Sequence, residues 1–221
     1  PYSNGGLAVQ DMLNGQIDFV VIDEAPAKQL VASKEGQIKV IDIPLTQEEY
    51  AFAVDKANPD LLAEVNEFLA AIKANGTFEA ILDKYFNGEG EIVGVDSATY
   101  DANKTNQLVV ATNAAFAPFE YKIGNKFAGI DMEIAALLAE ELNMELVIRD
   151  MDFDAVVSSV GTNGVDMAMA GLTVNAEREK VVNFADAYYN ASQMLIVKAD
   201  NTQFDACTTA AEVEAILKKA A

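Results

Sequence analysis

Hydrophobic and polar positions along the chain alternate between a helical and an extended period. Leu7, Val9, Met12 and Leu13 follow the polar opening Ser3-Asn4-Gly5-Gly6 and stop at Asn14-Gly15, the pattern of a short capped helix. Ile17 to Ile22, apolar but for Asp18, reads as a strand of the type buried in a parallel sheet, and it delivers Asp23 and Glu24 to its C-terminal end. Strands are expected over 38–43 and 50–54, a helix from Asn58-Pro59 to about Ala74, and a second helix from about Thr77 to Phe86. Residues 87–107 carry Gly, Asp, Asn, Ser and Thr with little periodicity and read as the best linker in the chain. Beyond it the pattern predicts strand 108–112, a loop with Pro118, helix 131–142, strand 144–149, helix 153–160 and strand 166–170. A helical turn at 175–178, strand-like segments 181–184 and 194–197, and a helix over 208–221 capped by Thr208 or Thr209 complete the reading. Strands alternating with helices imply an α/β fold.

At 221 residues the chain forms one large domain or two small ones. Apolar runs all fall short of the roughly 18 residues a membrane span needs, and residues 1–20 lack the basic start and apolar stretch of a signal peptide, so a soluble mature chain is expected. The formal charge of −20 repels phosphate backbones and anionic lipid, which argues against nucleic-acid binding. With no histidine, Ser-His-Asp and Cys-His catalysis and most zinc sites are excluded together. The single Cys207 makes no intrachain disulfide and reads as a buried or idle thiol. No P-loop, dinucleotide glycine fingerprint or paired-cysteine motif stands in the chain, so no cofactor and no metal is implied.

Two blocks of sequence carry a resemblance. Residues 108–121, LVVATNAAFAPFEY, with Gly129-Ile130-Asp131-Met132-Glu133-Ile134-Ala135, resemble the start of mature polar amino-acid binding proteins of ABC importers, and the resemblance continues through 165–192. SNGGLAVQDMLNGQIDFVVIDEAPA at 3–27 is similar to that family's later lobe-2 segment, and LDKYFNG at 82–88 to its C-terminus, so the order is rotated. The resemblance implies a two-lobed, type 2 periplasmic-binding-protein fold with a hinge, circularly permuted, in which a flexible segment 89–107 joins the old termini. It implies a continuous lobe 1 at about 51–190 and a lobe 2 built from about 1–45 and 195–221. The family's Gly-Thr-Thr type loop between these two ends has no counterpart here, so lobe 2 is expected to be incomplete, which leaves a homodimer through its strand edges open. The implied activity is binding of a free polar L-amino acid in an interlobe cleft, outside the cytoplasm, with an ABC permease as partner. A permuted scaffold with impaired binding and a dehydratase-type enzyme on the same fold are the alternatives.

A zwitterionic ligand requires a guanidinium or amide donors for its carboxylate, a carboxylate for its ammonium, and apolar walls that strengthen both pairings. Arg178 is the natural carboxylate clamp, or else a surface arginine on a helical turn. Asp23 resembles the family's ammonium-binding acid, or else is a helix N-cap. Gly171 and Thr173, with Ala170 beside them, would supply backbone N–H, carbonyl or hydroxyl groups, or else form an ordinary strand-to-helix turn. The resemblance further implies that Phe116 and Phe153 sandwich the ligand side chain, with Phe119 in the core, and that the neutral Asn113 mildly favours a neutral polar ligand. Glu120 and the Glu48-Glu49 pair are expected to be solvated charges.

Overall fold

The computed structural model describes residue 2 and residues 4–220. In chain order the first half contains α1 (Gly5–Leu13), β1 (Val20–Asp23), α2 (Glu24–Ser33), β2 (Ile38–Ile41), β3 (Glu48–Tyr50), β4 (Ala53–Asp55), α3 (Pro59–Ala74) and α4 (Thr77–Phe86). The second contains β5 (Gln107–Thr112), β6 (Ala115–Phe116), β7 (Glu120–Ile123), β8 (Lys126–Ala128), α5 (Ile130–Glu141), β9 (Glu145–Asp150), α6 (Phe153–Ser159), β10 (Met167–Ala168), β11 (Val182–Phe184), β12 (Tyr189–Ala191), β13 (Gln193–Lys198) and α7 (Ala210–Ala220). The chain divides into two compact units, one comprising Pro1–Glu48 with Asn190–Ala221 and the other Glu49–Tyr189. They are called unit 1 and unit 2.

Unit 2 is built on a five-stranded sheet in the order β11-β4-β10-β5-β9. β5 runs parallel to both β9 and β10, while β4 is antiparallel to β10 and β11. All six residues of β5 are buried, the profile of a central strand covered on both faces. Val109, Ala111, Val147, Val156 and Ala168 form one apolar cluster with it, each large aliphatic side chain contributing about 1.5–3 kcal/mol. The loop expected around Pro118 is in fact a small antiparallel meander, β6-β7-β8. Its strands are only two to four residues long, too short for alternation to be visible in sequence.

The flexible linker expected over 89–107 is a docked strap. Val95 and Phe127 exchange backbone hydrogen bonds of 2.6 and 2.9 Å, Ala98 N–H donates to the Leu146 carbonyl at 2.8 Å, and Ile148 N–H donates to Ser97 Oγ at 2.8 Å. The Arg149 guanidinium lies 4.2 Å from the centre of the Tyr100 ring. These contacts cover the outer edge of β9, which would otherwise present unpaired backbone groups. Irregular composition therefore marks the absence of regular structure here, in a segment that is nonetheless docked at Val95, Ser97, Ala98 and Tyr100.

Unit 1 carries a three-stranded sheet, β1-β13-β2, antiparallel at both pairings. Successive residues of β13 serve opposite faces: Met194 and Ile196 pack with Val9, Met12 and Ile38, whereas Leu195 and Val197 pack with Phe204 and Val213. The parallel strand expected over 17–22 is corrected in three respects. It starts at Val20, it pairs antiparallel with β13, and as an edge strand it leaves Val21 42% exposed. Helix α2 escaped the periodicity reading because its Glu, Lys, Gln and Ser residues leave a weak apolar face, and Ala25, Pro26 and Ala27 provide its buried contacts. Asn4 Oδ1 caps α1 by accepting Leu7 N–H at 3.0 Å; Ser3 of the expected cap lies outside the described residues. At α7 the Glu212 carboxylate accepts from the N–H groups of Thr208 and Thr209 while Glu212 N–H donates to Thr209 Oγ1 at 3.3 Å, a reciprocal cap.

Candidate functional site

Because β5, β9 and β10 run in parallel, the segments that follow them, 113–116, 151–153 and 169–173, emerge at the same end of the unit 2 sheet. Ligand groups in α/β sheets collect at such carboxyl ends. Seven of the eight sequence-derived candidates belong to this unit, and Asp23 belongs to unit 1.

Arg178 opens a single 3-10 turn, Arg178–Lys180, and is half-buried. Its backbone N–H donates to Asn175 Oδ1 at 2.9 Å, and its Nη1 donates to the Thr173 carbonyl at 2.8 Å. The guanidinium carbon stands 5.4 Å from the centre of the Phe153 ring. An aromatic face and a carbonyl together orient the planar fork, the geometry in which arginine pairs bidentately with carboxylates. Thr173 is itself held by a β-bridge to Tyr50, flanked by Val174 N–H donating to the Glu49 carbonyl at 3.0 Å.

Gly171 adopts φ +51, and a β-carbon there would stand 2.9 Å from Phe116 Cε1 and 3.3 Å from Tyr50 Cε2. The position thus requires glycine for both its dihedral angle and its closeness to Phe116. Its N–H donates to Asp131 Oδ2 at 2.9 Å, so the backbone group it can still offer is its carbonyl. Ala170 is 1% exposed and belongs to the apolar cluster, against which Phe153 also packs. Asn113 Nδ2 donates to the Met151 carbonyl at 2.7 Å, tying the ends of β5 and β9 together. Phe116 stacks on Phe119 with centroids 6.0 Å apart, and the fully buried Phe119 meets Tyr50 edge-on at 5.1 Å and Tyr189 at 5.0 Å.

One expectation is overturned outright. Glu120, expected to be solvated, is fully buried, and so is Asp131. Gly129 explains the juxtaposition: at φ +122 a β-carbon would fall 2.1 Å from the Phe119 carbonyl oxygen, so only glycine lets the start of α5 close onto the start of β7. The Phe119 carbonyl then accepts Asp131 N–H at 2.9 Å. Asp131 Oδ1 accepts the Tyr188 hydroxyl at 2.6 Å, whereas no donor among the described residues reaches either oxygen of Glu120, whose carboxyl faces that of Asp131, so that a hydrogen bond between the two needs a proton on one of them. Burial pushes the Asp131 carboxyl up to about 7, opposed by the Gly171 and Tyr188 donors. Burial and then the Asp131 charge drive Glu120 well above the carboxylate range. In sequence Asp131 looked like an ordinary acid in the first turn of a helix, and nothing local distinguished Tyr188.

In unit 1, Asp23 ends β1 opposite Gln193 and is half-buried. It occupies the N-cap position of α2, yet its side chain makes no capping hydrogen bond. The adjacent Glu24 pairs with Lys28 and accepts the Ser192 hydroxyl at 3.3 Å; the Lys28 hydrogen bond holds its carboxyl below the usual range. Among the described residues no three His, Cys, Asp or Glu side chains gather to hold a metal ion.

A sequence profile of the bacterial extracellular solute-binding proteins, family 3, matches residues 5–88 and 108–220, and the chain belongs to that family. Among its relatives, the arginine-binding extracellular protein ArtP of Bacillus subtilis (strain 168) is 38% identical over 95 residues, covering 43% of this chain and 37% of the relative. The ABC transporter arginine-binding protein 1 of Escherichia coli (strain K12) is 29% identical over 106 residues, 47% of this chain and 43% of the relative. Truncated, arginine-bound ArgBP from T. maritima is 39% identical over 38% of this chain and 40% of its own, with a TM-score of 0.37. The chain thus spans about two fifths of the length of the curated relatives it matches. No helix among the described residues is long and apolar enough to cross a membrane.

Proposed function

We propose that the chain is a solute receptor that binds a free polar L-amino acid without chemistry on it, outside the cytoplasm, and serves an ABC permease. The observation that carries this reading is Arg178, oriented by the Thr173 carbonyl at 2.8 Å and by Phe153 at one end of a parallel sheet. Such a fork suits an α-carboxylate, and the carbonyls of 170–173 suit an ammonium. Phe116 and Phe153 are the apolar walls of the reading, and Asp23 is its ammonium-binding acid. The names of the relatives favour arginine as ligand, whereas the neutral Asn113 favours an uncharged polar side chain. A dehydratase would need Asp23 or Glu24 as acid or base, and the Lys28 hydrogen bond, which lowers the Glu24 carboxyl pKa, suits Glu24 only to the part of base.

Isothermal calorimetry of the ligand-stripped protein against the L-amino acids tests the proposal, with Arg178→Ala as control. Micromolar or tighter binding that the substitution abolishes is the expected result, and the absence of heat with every amino acid would overturn it.

The circular permutation is part of the same proposal, supported by the two matched segments on either side of 89–107. A reordered chain running 105–221 and then 1–104, which keeps the strap and β5 whole, should melt as cooperatively as the order 1–221 and bind the same ligand. If the two blocks instead belong to successive copies of the family, the order 1–221 will complete itself only by exchange between chains, and light scattering will find dimers. The same measurement tests association through the two edge strands of unit 1, β1 and β2.

A further inference from the structure

The buried carboxyl pair in unit 2 lies behind the candidate binding segment rather than within it. Asp131 accepts two donors, Gly171 N–H at 2.9 Å and the Tyr188 hydroxyl at 2.6 Å, and so connects α5 to the segment that carries Ala170, Gly171 and Thr173. Glu120 is fully enclosed beside it, since Asp131 N–H donates to the carbonyl of the preceding residue, Phe119, at 2.9 Å and the two carboxyl groups interact directly. No described ion pair reaches either carboxyl group. Two ionised carboxylates enclosed together without a cation repel strongly and forfeit their hydration, so the pair carries at most one charge. Asp131 faces two donors and is the member suited to hold that charge, while Glu120 faces none and is suited to hold a proton.

Resting on the reading that 170–173 contacts the ligand, we propose that Asp131 is a positioning residue for this segment and that Glu120 and Asp131 share one proton, so that a single buried negative charge fixes Gly171 and Tyr188. Uptake of a second proton removes the charge, weakens the bond to Gly171 N–H, and loosens the segment. The titratable groups around the pair are few. Tyr188 lies on the segment packed against it, and burial and the neighbouring Asp131 raise its phenol well above the ordinary value, so it stays neutral near neutral pH; the Tyr50 ring lies 6.4 Å from that of Tyr188. Across the contact between α4 and α5, Lys84 and Tyr85 each bond Glu133 at 2.7 Å, so the one cation of that cluster is engaged there.

The test is nitrogen-15 NMR of the intact chain, following the Gly171 amide from about pH 8 to about pH 5.5, alongside calorimetry with L-arginine and L-glutamine as probes. The Gly171 amide proton should be shielded from exchange and should move upfield as pH falls. That movement should vanish in Asp131→Asn, and affinity should drop roughly tenfold while the cooperative melt is retained. Tyr188→Phe, which leaves both carboxyl groups in place, should alter the Gly171 resonance through Asp131 and serves if Asp131→Asn does not fold. A Gly171 resonance that is insensitive to pH and to both substitutions overturns the proposal, even where the parent protein binds an amino acid well. A parent that binds neither probe but shows the pH-dependent Gly171 resonance leaves the positioning role standing and counts against these two ligands alone.

Discussion

In unit 2 the candidate binding segment is fixed from several directions, whereas in unit 1 Asp23 terminates an edge strand. Gly171 is held by Asp131 and packed on Phe116, and Thr173 is bridged to Tyr50. Asp23 follows a strand with only one neighbour, whose Val21 is open to solvent. The first arrangement sets its polar groups in advance, which under the proposed function lowers the ordering entropy of binding. The second, were Asp23 to meet a ligand as proposed, would leave more of that ordering to the moment of binding. Rigidity here follows the number of buried partners, and the same helix-and-strand vocabulary yields either outcome.

The contrast can be broken most forcefully at Phe119, whose ring is fully buried among Tyr50, Phe116 and Tyr189. Phe119→Ala should lower unfolding stability by about 3–5 kcal/mol in urea denaturation, by transfer and cavity terms together. Gly171→Ala should cost about 1–3 kcal/mol, since alanine must adopt φ +51 and displace Phe116, and calorimetry should register weaker amino-acid binding as well.

A subtler test uses pH. Glu120 and Asp131 have folded-state pKa values above their ordinary ones, so the native state holds protons that the unfolded chain releases. Their contribution to stability is therefore fully present below the ordinary carboxylate range and declines as pH rises through about 7, by at most about 1.4 kcal/mol per pH unit for each proton. Glu120→Gln removes one of those protons from the balance, and its melting temperature should fall less steeply than that of the parent between about pH 5 and pH 8. The smallest effect belongs to unit 1: Val21→Thr, on an exposed edge strand, should change stability by no more than about 0.5 kcal/mol in the same denaturation assay. A loss several times larger would show that the β1 edge is covered in solution.

Much of the architecture was legible because it rests on local signals. Asn58-Pro59 and Asn75-Gly76 bracket α3 as expected, with Asn58 Oδ1 accepting Leu61 N–H at 3.1 Å. The apolar run 108–112 became the central strand β5. Arg178 and Phe153, 25 residues apart by number and separate in pattern, were brought within 5.4 Å. Local signals failed where partners lie far along the chain. The strap 89–107 gained order from β8 and β9, and α2 gained helicity by packing on the unit 1 sheet. Glu120 carried every mark of a solvated acid and is enclosed all the same.

By itself the sequence determined α1, α3, α4, α5, the central strand β5, the α/β class and the exclusion of histidine chemistry, because caps, glycines and hydrophobic period act over a few residues. Tertiary structure alone decided that β1 is an antiparallel edge strand, that the strap is docked, and that Glu120 meets Asp131 behind Gly171. Those outcomes depend on strand pairing and on the close approach at Gly129, which set desolvation and mutual charge, and neither quantity exists until residues distant in the chain have come together.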